Sequence, residues 1–290
     1  MPVERVKPRP IELCVEERVM ESPDTVTLVF ATTPETLSYR AGQFLTIDPR
    51  QFAACRPALA YLEHQKGKRE MPRAYSMASA PHEPRLAITI KEESYEPGTH
   101  PHPPLLSPFL VHACFPGVRM TAVGFTGPYT LPPDVEQRTG HILHIVAGSG
   151  AVPNYSMLKD SLHRHPKLRH TFLSSNRSWA DICFRDSLLA LERAHPDRLK
   201  VINTLTRQED FSGTTGTVRQ GRVTAALLEE LLPDPGTAFA YVCGPAITAW
   251  ERRAALESKT AATPRFLEST LQLLLARGLT PDRVKRESYG

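Results

Sequence analysis

The chain has 290 residues, 41% hydrophobic and 23% charged, with a formal net charge of +4. That length allows two domains with real cores, and so mild a charge excludes a general nucleic-acid binder while leaving room for a local basic face toward an acidic partner. No apolar run approaches about 20 residues, so no membrane span is expected. Met1 to Pro10 lacks the apolar stretch of a signal peptide. Cysteines 14, 55, 114, 183 and 243 are scattered, odd in number and without a Cys-x-x-Cys pair. They argue against a disulfide framework, a zinc site or an iron–sulfur cluster built from this chain, and a reducing cytoplasm fits.

Residues 11 to about 135 read as short strands and loops. Thr25 to Phe30, Gln43 to Ile47, Arg73 to Ser76, Leu86 to Ile90 and Val118 to Val123 are strand candidates, most of them rich in β-branched residues. Gly42, Gly117, Gly124 and Gly127-Pro128 punctuate them, which predicts a small antiparallel barrel. Residues 50–72, with the basic run Lys66-Gly67-Lys68-Arg69, read as a solvated loop or, more sharply, as a docking surface for an acidic protein. Residues 93–106 carry Pro97, Pro101, Pro103 and Pro104. His100 and His102 in that stretch lack a neighbouring carboxylate-and-histidine cluster, so no metal site is expected.

From about residue 141 the pattern changes. Strands are predicted at 142–146, 170–173, 199–203 and 239–242, alternating with helices at 153–162, 184–193 and 225–232. That alternation means a doubly wound α/β parallel sheet. The predicted domains are therefore 1–136 and 137–290. A last helix, Phe266 to Ala276, puts Leu267, Leu271 and Leu274 on one face, and 257–264 reads as a loop before it.

Three stretches carry chemistry. Arg73-Ala74-Tyr75-Ser76 puts Arg73 and Tyr75 on one strand face: a cation for phosphate, a ring for a planar ligand, and a hydroxyl beside them. An ordinary half-exposed strand carries the same residues. Ala147-Gly148-Ser149-Gly150-Ala151-Val152-Pro153 follows a strand and opens a helix, where backbone N–H groups and the helix terminus suit a pyrophosphate; a merely tight turn is the alternative. Two other strand ends, Ser174-Ser175-Asn176-Arg177 and Cys243-Gly244-Pro245, converge on the same crevice in a doubly wound sheet. Arg177 reads as a contact to an adenosine ribose or 2′-phosphate, or as a helix cap or solvated side chain. Cys243 reads as a polarizable residue at the mouth of a site or simply as a buried cysteine.

In order, these motifs with Thr206-Arg207 resemble the ferredoxin–NADP reductase superfamily, in particular reductase components of bacterial oxygenases acting on phenylacetyl-CoA or ketosteroids. The resemblance implies an N-terminal flavin-binding antiparallel β-barrel and a C-terminal nicotinamide-nucleotide domain. It implies FAD, with FMN the weaker candidate, and NADPH or NADH as hydride donor. By position, Arg73 would bind the flavin phosphate, with Ala74 beside it. Tyr75 would pack on the isoalloxazine and Ser76 would bond flavin N5. Ile90 and Lys91 would flank the flavin tail, and Ser107 would open a short phosphate-binding helix. Gly148, Ser149, Gly150 and Pro153 would hold the nucleotide pyrophosphate. Ser175, Asn176, Arg177 and Arg207 would meet its adenosine end, and Cys243, with Gly244 and Pro245, would sit by nicotinamide C4. Glu287 would shuttle a proton and Tyr289 would cover the far flavin face. Two arginines, with no acidic residue from Ser174 to Arg177, tilt the donor toward NADPH.

The chain departs from the family pattern at Pro103-Pro104-Leu105-Leu106, where glycines usually precede the Ser107 position, and in the lengthened loops 50–72 and 93–106. The sequence to Gly290 also shows no plant-type [2Fe–2S] cysteine spacing. The expected activity is a flavin-dependent NAD(P)H reductase that passes single electrons to a separate iron–sulfur protein, a ferredoxin or an oxygenase component. Reduction of a diffusible acceptor such as free flavin or a ferric complex is the alternative, and a non-catalytic flavin-binding sensor a third.

Overall fold

A computed structural model describes residues 8–31, 38–97 and 102–289. Contacts divide the chain into two compact units: Met1–Met20 with Asp24–Thr130, and Glu21–Pro23 with Leu131–Gly290. His100 lies outside the described residues.

The first unit is built from β1 (Arg9–Ser22), β2 (Thr25–Ala31), β3 (Phe44–Ile47), β4 (Arg73–Ser76), β5 (Leu86–Lys91) and β6 (Arg119–Thr126). Alternation drives it: Ile11, Leu13 and Val15 of β1 are buried, while Glu12 and Glu16 between and beyond them face water. The strands form one antiparallel sheet in the order β4-β3-β6-β1-β2-β5. Its two edges meet, because the bridge Met77↔Ile88 and the bond from Ala78 N–H to Ala87 O, 2.7 Å, continue β4 onto β5. That closure makes the expected barrel and removes both open edges. Val26, Leu28, Phe30, Leu45, Ile47, Ile88 and Ile90 fill it.

The expectation of a solvated loop at 50–72 is corrected here. After two short 3-10 turns the segment forms α1 (Arg56–Lys66). Leu59 and Leu62 are buried on its inner face, and Cys55 just before it joins the barrel core. Gly67, in the left-handed conformation at φ 60°, ends the helix. Lys66 belongs to the helix and is ion-paired with Glu70 at 2.5 Å, so only part of the basic run is solvated. A second helix, α2 (Leu106–Ala113), follows the proline-rich stretch and packs on β5.

The second unit contains α3 (Val135–Arg138), β7 (His141–Ala147), α4 (Ala151–Arg164), β8 (Arg169–Asn176), α5 (Arg185–Ala194), β9 (Leu199–Leu205), β10 (Thr217–Gln220), α6 (Ala225–Leu231), β11 (Ala238–Pro245), α7 (Ala249–Glu257), α8 (Phe266–Ala276) and β12 (Val284–Tyr289). The strands lie parallel in the order β10-β9-β8-β7-β11-β12. The chain thus winds outward from β7 in one direction, then returns to β7's other side with β11. The β7–β11 junction is the topological switch point, outside which ligands bind in such sheets. The loop expected at 257–264 is shorter at its start, because α7 runs to Glu257 behind a Thr248–Glu251 capping box. No helix among the described residues is long and apolar enough to cross a membrane.

The two faces of this sheet differ. One is aliphatic: Leu143, Ile145, Leu173, Ile202 and Val242 pack on Leu228, Leu267 and Leu274. The other, under α4, buries His144, His170, Asn154, Ser156 and Ser161. Burial pulls His144 from the ordinary 6.5 to about 4, and lowers His170 well below 6.5. On the aliphatic side, at the rim, burial also lowers His141 to about 4. These imidazoles are neutral when folded and take up protons when unfolded. Their contribution is full above pH 6.5 and is lost as pH falls toward 4. Denaturant unfolding of the protein followed at a series of pH values is expected to show that decline; a flat profile from pH 7 to 4 contradicts it.

Candidate flavin and nucleotide sites

In the first unit, β4 runs antiparallel to β3 with Arg73 opposite Ile47 and Tyr75 opposite Leu45. Arg73 is about half exposed, at 54% of its side chain, and its Nη2 lies 3.4 Å from Glu70 Oε2. Glu70 is buried and is the hub of the segment. It also pairs with Lys66, its N–H donates to Glu63 Oε1 at 2.9 Å, and its carbonyl accepts from Arg50 Nη1 at 3.3 Å. Arg73 therefore stands on a fixed anion with the rest of its guanidinium toward solvent. Tyr75 is half-buried against the barrel core, and burial, with Glu93 next, pushes its phenol up so that it stays protonated. Ser76 is buried at the strand end.

Ile90 points into the core, which leaves only its backbone available to a ligand. Lys91 is tied to Asp24 at 2.7 Å. Ser107 sits in the first turn of α2, where no acidic side chain stands, and its hydroxyl accepts the Glu93 N–H at 3.2 Å while keeping a proton to donate. These residues give a cation, an aromatic face and a hydroxyl at a helix N-terminus, a donor set that fits a phosphorylated planar group. Sequence reading missed Glu70. The signal was present as the spacings Lys66–Glu70 and Glu70–Arg73, which close ion pairs along a turn.

In the second unit, the turn after β7 is a 3-10 element, Gly148–Gly150, leading directly into α4. Gly148 has φ +53° with no atom within 4 Å of where a Cβ would stand, so its backbone faces open space. Gly150 is the opposite case. A Cβ there would overlap the Cys243 carbonyl oxygen and lie 2.6 Å from the Cys243 carbonyl carbon. Gly244 is equally confined, with Phe266 Cδ1 at 2.6 Å from an added Cβ. The sequence thus brings the turn and the end of β11 into backbone contact at the switch point. Pro153 occupies the first turn of α4, where its missing N–H costs no helix bond. The cradle fits a pyrophosphate.

Ser175 and Asn176 are buried within β8, and Asn176 Nδ2 donates to Ser174 Oγ at 2.8 Å. Their backbones clamp the next strand end: Thr206 N–H to Asn176 O and Arg207 N–H to Arg177 O, both 2.9 Å. That clamp sets Arg177 and Arg207 side by side, both exposed, and no carboxylate among the described residues pairs with either. Cys243 is fully buried rather than at a mouth open to solvent, and burial, with Glu287 beside it, holds its thiol well above 9.0. Glu287 stands opposite Cys243 across β11 and β12. Its Oε2 is buried without a hydrogen-bond partner among the described residues, and burial lifts its carboxyl to about 7. Tyr289, half-buried, pairs with Pro245 at the strand end.

An oxidoreductase NAD-binding domain family model matches residues 145–249. Ferredoxin–NADP reductase B of Sorangium cellulosum is 31% identical over 181 residues, covering 60% of this chain and 67% of the relative. The chain belongs to the ferredoxin–NADP reductase superfamily. It is an FAD-dependent NAD(P)H oxidoreductase of that superfamily, with the superfamily's antiparallel barrel and parallel sheet. A second relative, a 1,2-phenylacetyl-CoA epoxidase component from Escherichia coli, is 24% identical over 266 residues, covering 88% of this chain and 67% of that one. The chain thus spans about two thirds of the length of both relatives. Among solved structures, the flavohem-like FAD/NAD-binding domain of a nitric oxide dioxygenase from Vibrio cholerae shares the superfamily fold. It has a TM-score of 0.68 at 20% identity, over 96% of this chain and 98% of that one.

Two outcomes test this geometry. Gly150→Ala is expected to cost about 1–3 kcal/mol of stability by overpacking and to abolish nucleotide binding; a variant that binds like wild type contradicts the backbone contact. For Glu287, the raised carboxyl contributes stability below pH 4.5 that is lost as pH rises to about 7. Carbon-13 NMR of the Glu287 carboxyl should show a midpoint near 7, and a midpoint near 4.5 contradicts its burial.

Proposed function

We propose that this reductase takes electrons from NAD(P)H onto FAD and hands them singly to a separate iron–sulfur protein, a ferredoxin or an oxygenase component. The observation that carries the reading is the backbone contact of the Gly148–Gly150 turn with Cys243 and Gly244 at the switch point. It leaves a glycine cradle at the start of α4. Support for a protein acceptor comes from the nature of the relatives, one a ferredoxin–NADP reductase and one a component of an epoxidase.

In this reading residues 1–136 hold the flavin and 137–290 the nucleotide. When bound, the two cofactors supply a hydride from nicotinamide to flavin and single electrons from the flavin. The chain's own residues align and insulate. Arg73, held by Glu70, neutralises the flavin phosphate, with the Ala74 backbone alongside and Ser107 donating from α2. Tyr75 lies along the flavin ring, Ser76 donates to ring N5, and the Ile90–Lys91 backbone flanks the tail.

Gly148, Ser149, Gly150 and Pro153 cradle the nucleotide pyrophosphate. Arg177 and Arg207 take the adenosine end, and their guanidinium groups, paired with no carboxylate among the described residues, favour a 2′-phosphate, hence NADPH. Ser175 and Asn176 hold the strand ends that present them. Cys243, a neutral thiol, packs with Gly244 and Pro245 where the nicotinamide ring lies. Glu287 holds a proton near neutral pH, and Tyr289 offers a ring for stacking.

Three exposed cations around α1, Arg56, Lys68 and Arg69, remain for an acidic partner after Arg50 and Lys66 are taken by Asp48 and Glu70. Turnover with an acidic [2Fe–2S] protein is therefore expected to fall as salt rises, while turnover with a small neutral quinone stays level. Equal salt response with both acceptors, or no turnover with the protein acceptor, contradicts the reading. Arg73→Ala should lose flavin on purification. The double variant Arg177→Ala with Arg207→Ala should raise KM for NADPH about tenfold and leave that for NADH nearly level. An equal rise for both nucleotides refutes the 2′-phosphate assignment.

A further inference from the structure

A hydrogen-bonded line of side chains crosses the polar face of the parallel sheet. Ser161 Oγ lies 3.1 Å from His170 Nε2, His170 Nδ1 lies 3.2 Å from His144 Nε2, and His144 Nδ1 lies 2.9 Å from Asn154 Oδ1. Asn154 Nδ2 then donates to the carbonyl of Gly150 at 3.4 Å. All of these side chains are buried, and the rings of Phe172 and Tyr241 pack around His144 at 5.5 and 6.4 Å.

The donors and acceptors allow one consistent direction. Because the Asn154 amide donates to Gly150, its oxygen accepts, so His144 carries its proton on Nδ1 and presents a bare Nε2. His170 must then donate from Nδ1 and accept from the Ser161 hydroxyl. Every member is satisfied by a single tautomer of each ring. Burial keeps both rings neutral, which preserves that pattern at physiological pH.

The position of the line gives it a role. His144 lies on β7, before the glycine turn, and Asn154 lies in the first turns of α4, after it. Their bond is a strut between the strand that enters the turn and the helix that leaves it. The turn's other side is fixed by Gly150 against Cys243. The first amides of α4 have no partner within the helix and point where an anion binds. A shift of the helix relative to β7 would move those amides. Burying so many polar groups costs stability that an aliphatic layer, such as the opposite face has, would not. Their gain is a defined geometry.

We propose that His144, oriented by His170 and bonded to Asn154, is a positioning residue that sets the glycine turn for the nucleotide pyrophosphate. This rests on the nucleotide-binding reading of that turn.

The test uses the full-length flavoprotein and titration with NADP⁺ and NAD⁺, with Kd read by calorimetry. His144→Phe keeps the ring packing but removes the donor, and Asn154→Ala cuts the strut from the helix side with a good helix former. Each is expected to weaken binding of the preferred nucleotide about fivefold to tenfold, the worth of one buried hydrogen bond. His144→Asn places an amide donor where Nδ1 stood and should recover most of the loss. Nitrogen-15 NMR of the wild type should show His144 protonated at Nδ1 and bare at Nε2. A reversed tautomer overturns the proposal whatever the nucleotide does. So does binding within about twofold of wild type by both Phe and Ala variants, since a purely structural network would lower melting temperature without changing Kd of the folded protein. If wild type itself binds neither nucleotide, the nucleotide reading fails instead.

Discussion

No side chain fits between the Gly148–Gly150 turn and the end of β11. The Gly150 backbone rests on the Cys243 carbonyl, and Gly244 is pressed between Phe266 and Ala147. This steric constraint ties the switch point together, because β7 and β11 are parallel neighbours whose onward connections lead to opposite sides of the sheet. It fixes where α4 starts, and with it the helix terminus that faces a pyrophosphate. It also seals Cys243 from water, so of the two sequence readings, a polarizable residue at the mouth of a site or a buried cysteine, the thiol takes the second and is neutral and packed. Cys243 in turn lies opposite Glu287, whose buried Oε2, without a hydrogen-bond partner among the described residues, and raised carboxyl arise from the same enclosure.

The barrel solves a different problem. It must offer a cation at its rim without letting that cation collapse onto its own surface. Glu70 meets this by being buried and doubly paired, with Lys66 on one oxygen and Arg73 on the other. Removing either cation leaves a buried carboxylate less compensated, which is expensive. The inserted helix α1 is therefore part of how Arg73 is held, since Lys66 is its last residue.

Elements whose signal is local were legible in the sequence. Arg73 to Ser76 is a strand with the expected bounds, and Ile142 to Val146 lies inside β7 with the glycine turn directly after it. Elements whose signal is weak or contextual were not. β10 and β12 are edge strands of mostly polar residues, so no apolar alternation marks them. Helix α1 hid behind prolines and a basic run, although Cys55, Leu59 and Leu62 have helical spacing. Helix α7 carried a plain Thr-x-x-Glu start but buries no residue, so its pattern lacked an apolar stripe. In the sites, residue types were readable and their partners were not. The His144–His170 contact depends on the register of β7 against β8, whereas the Glu70 ion pairs and the Ser174–Asn176 bond are local and went unread for want of an apolar pattern.

This chain moves electrons from a nicotinamide nucleotide into a flavin it holds. Anaerobic mixing of the purified protein with NADPH, and separately with NADH, while recording flavin absorbance, tests it most directly. Bleaching of the flavin band by at least one nucleotide, faster with NADPH, is the predicted result. A protein that purifies without flavin and takes none up, or a flavin that neither nucleotide bleaches, contradicts the account.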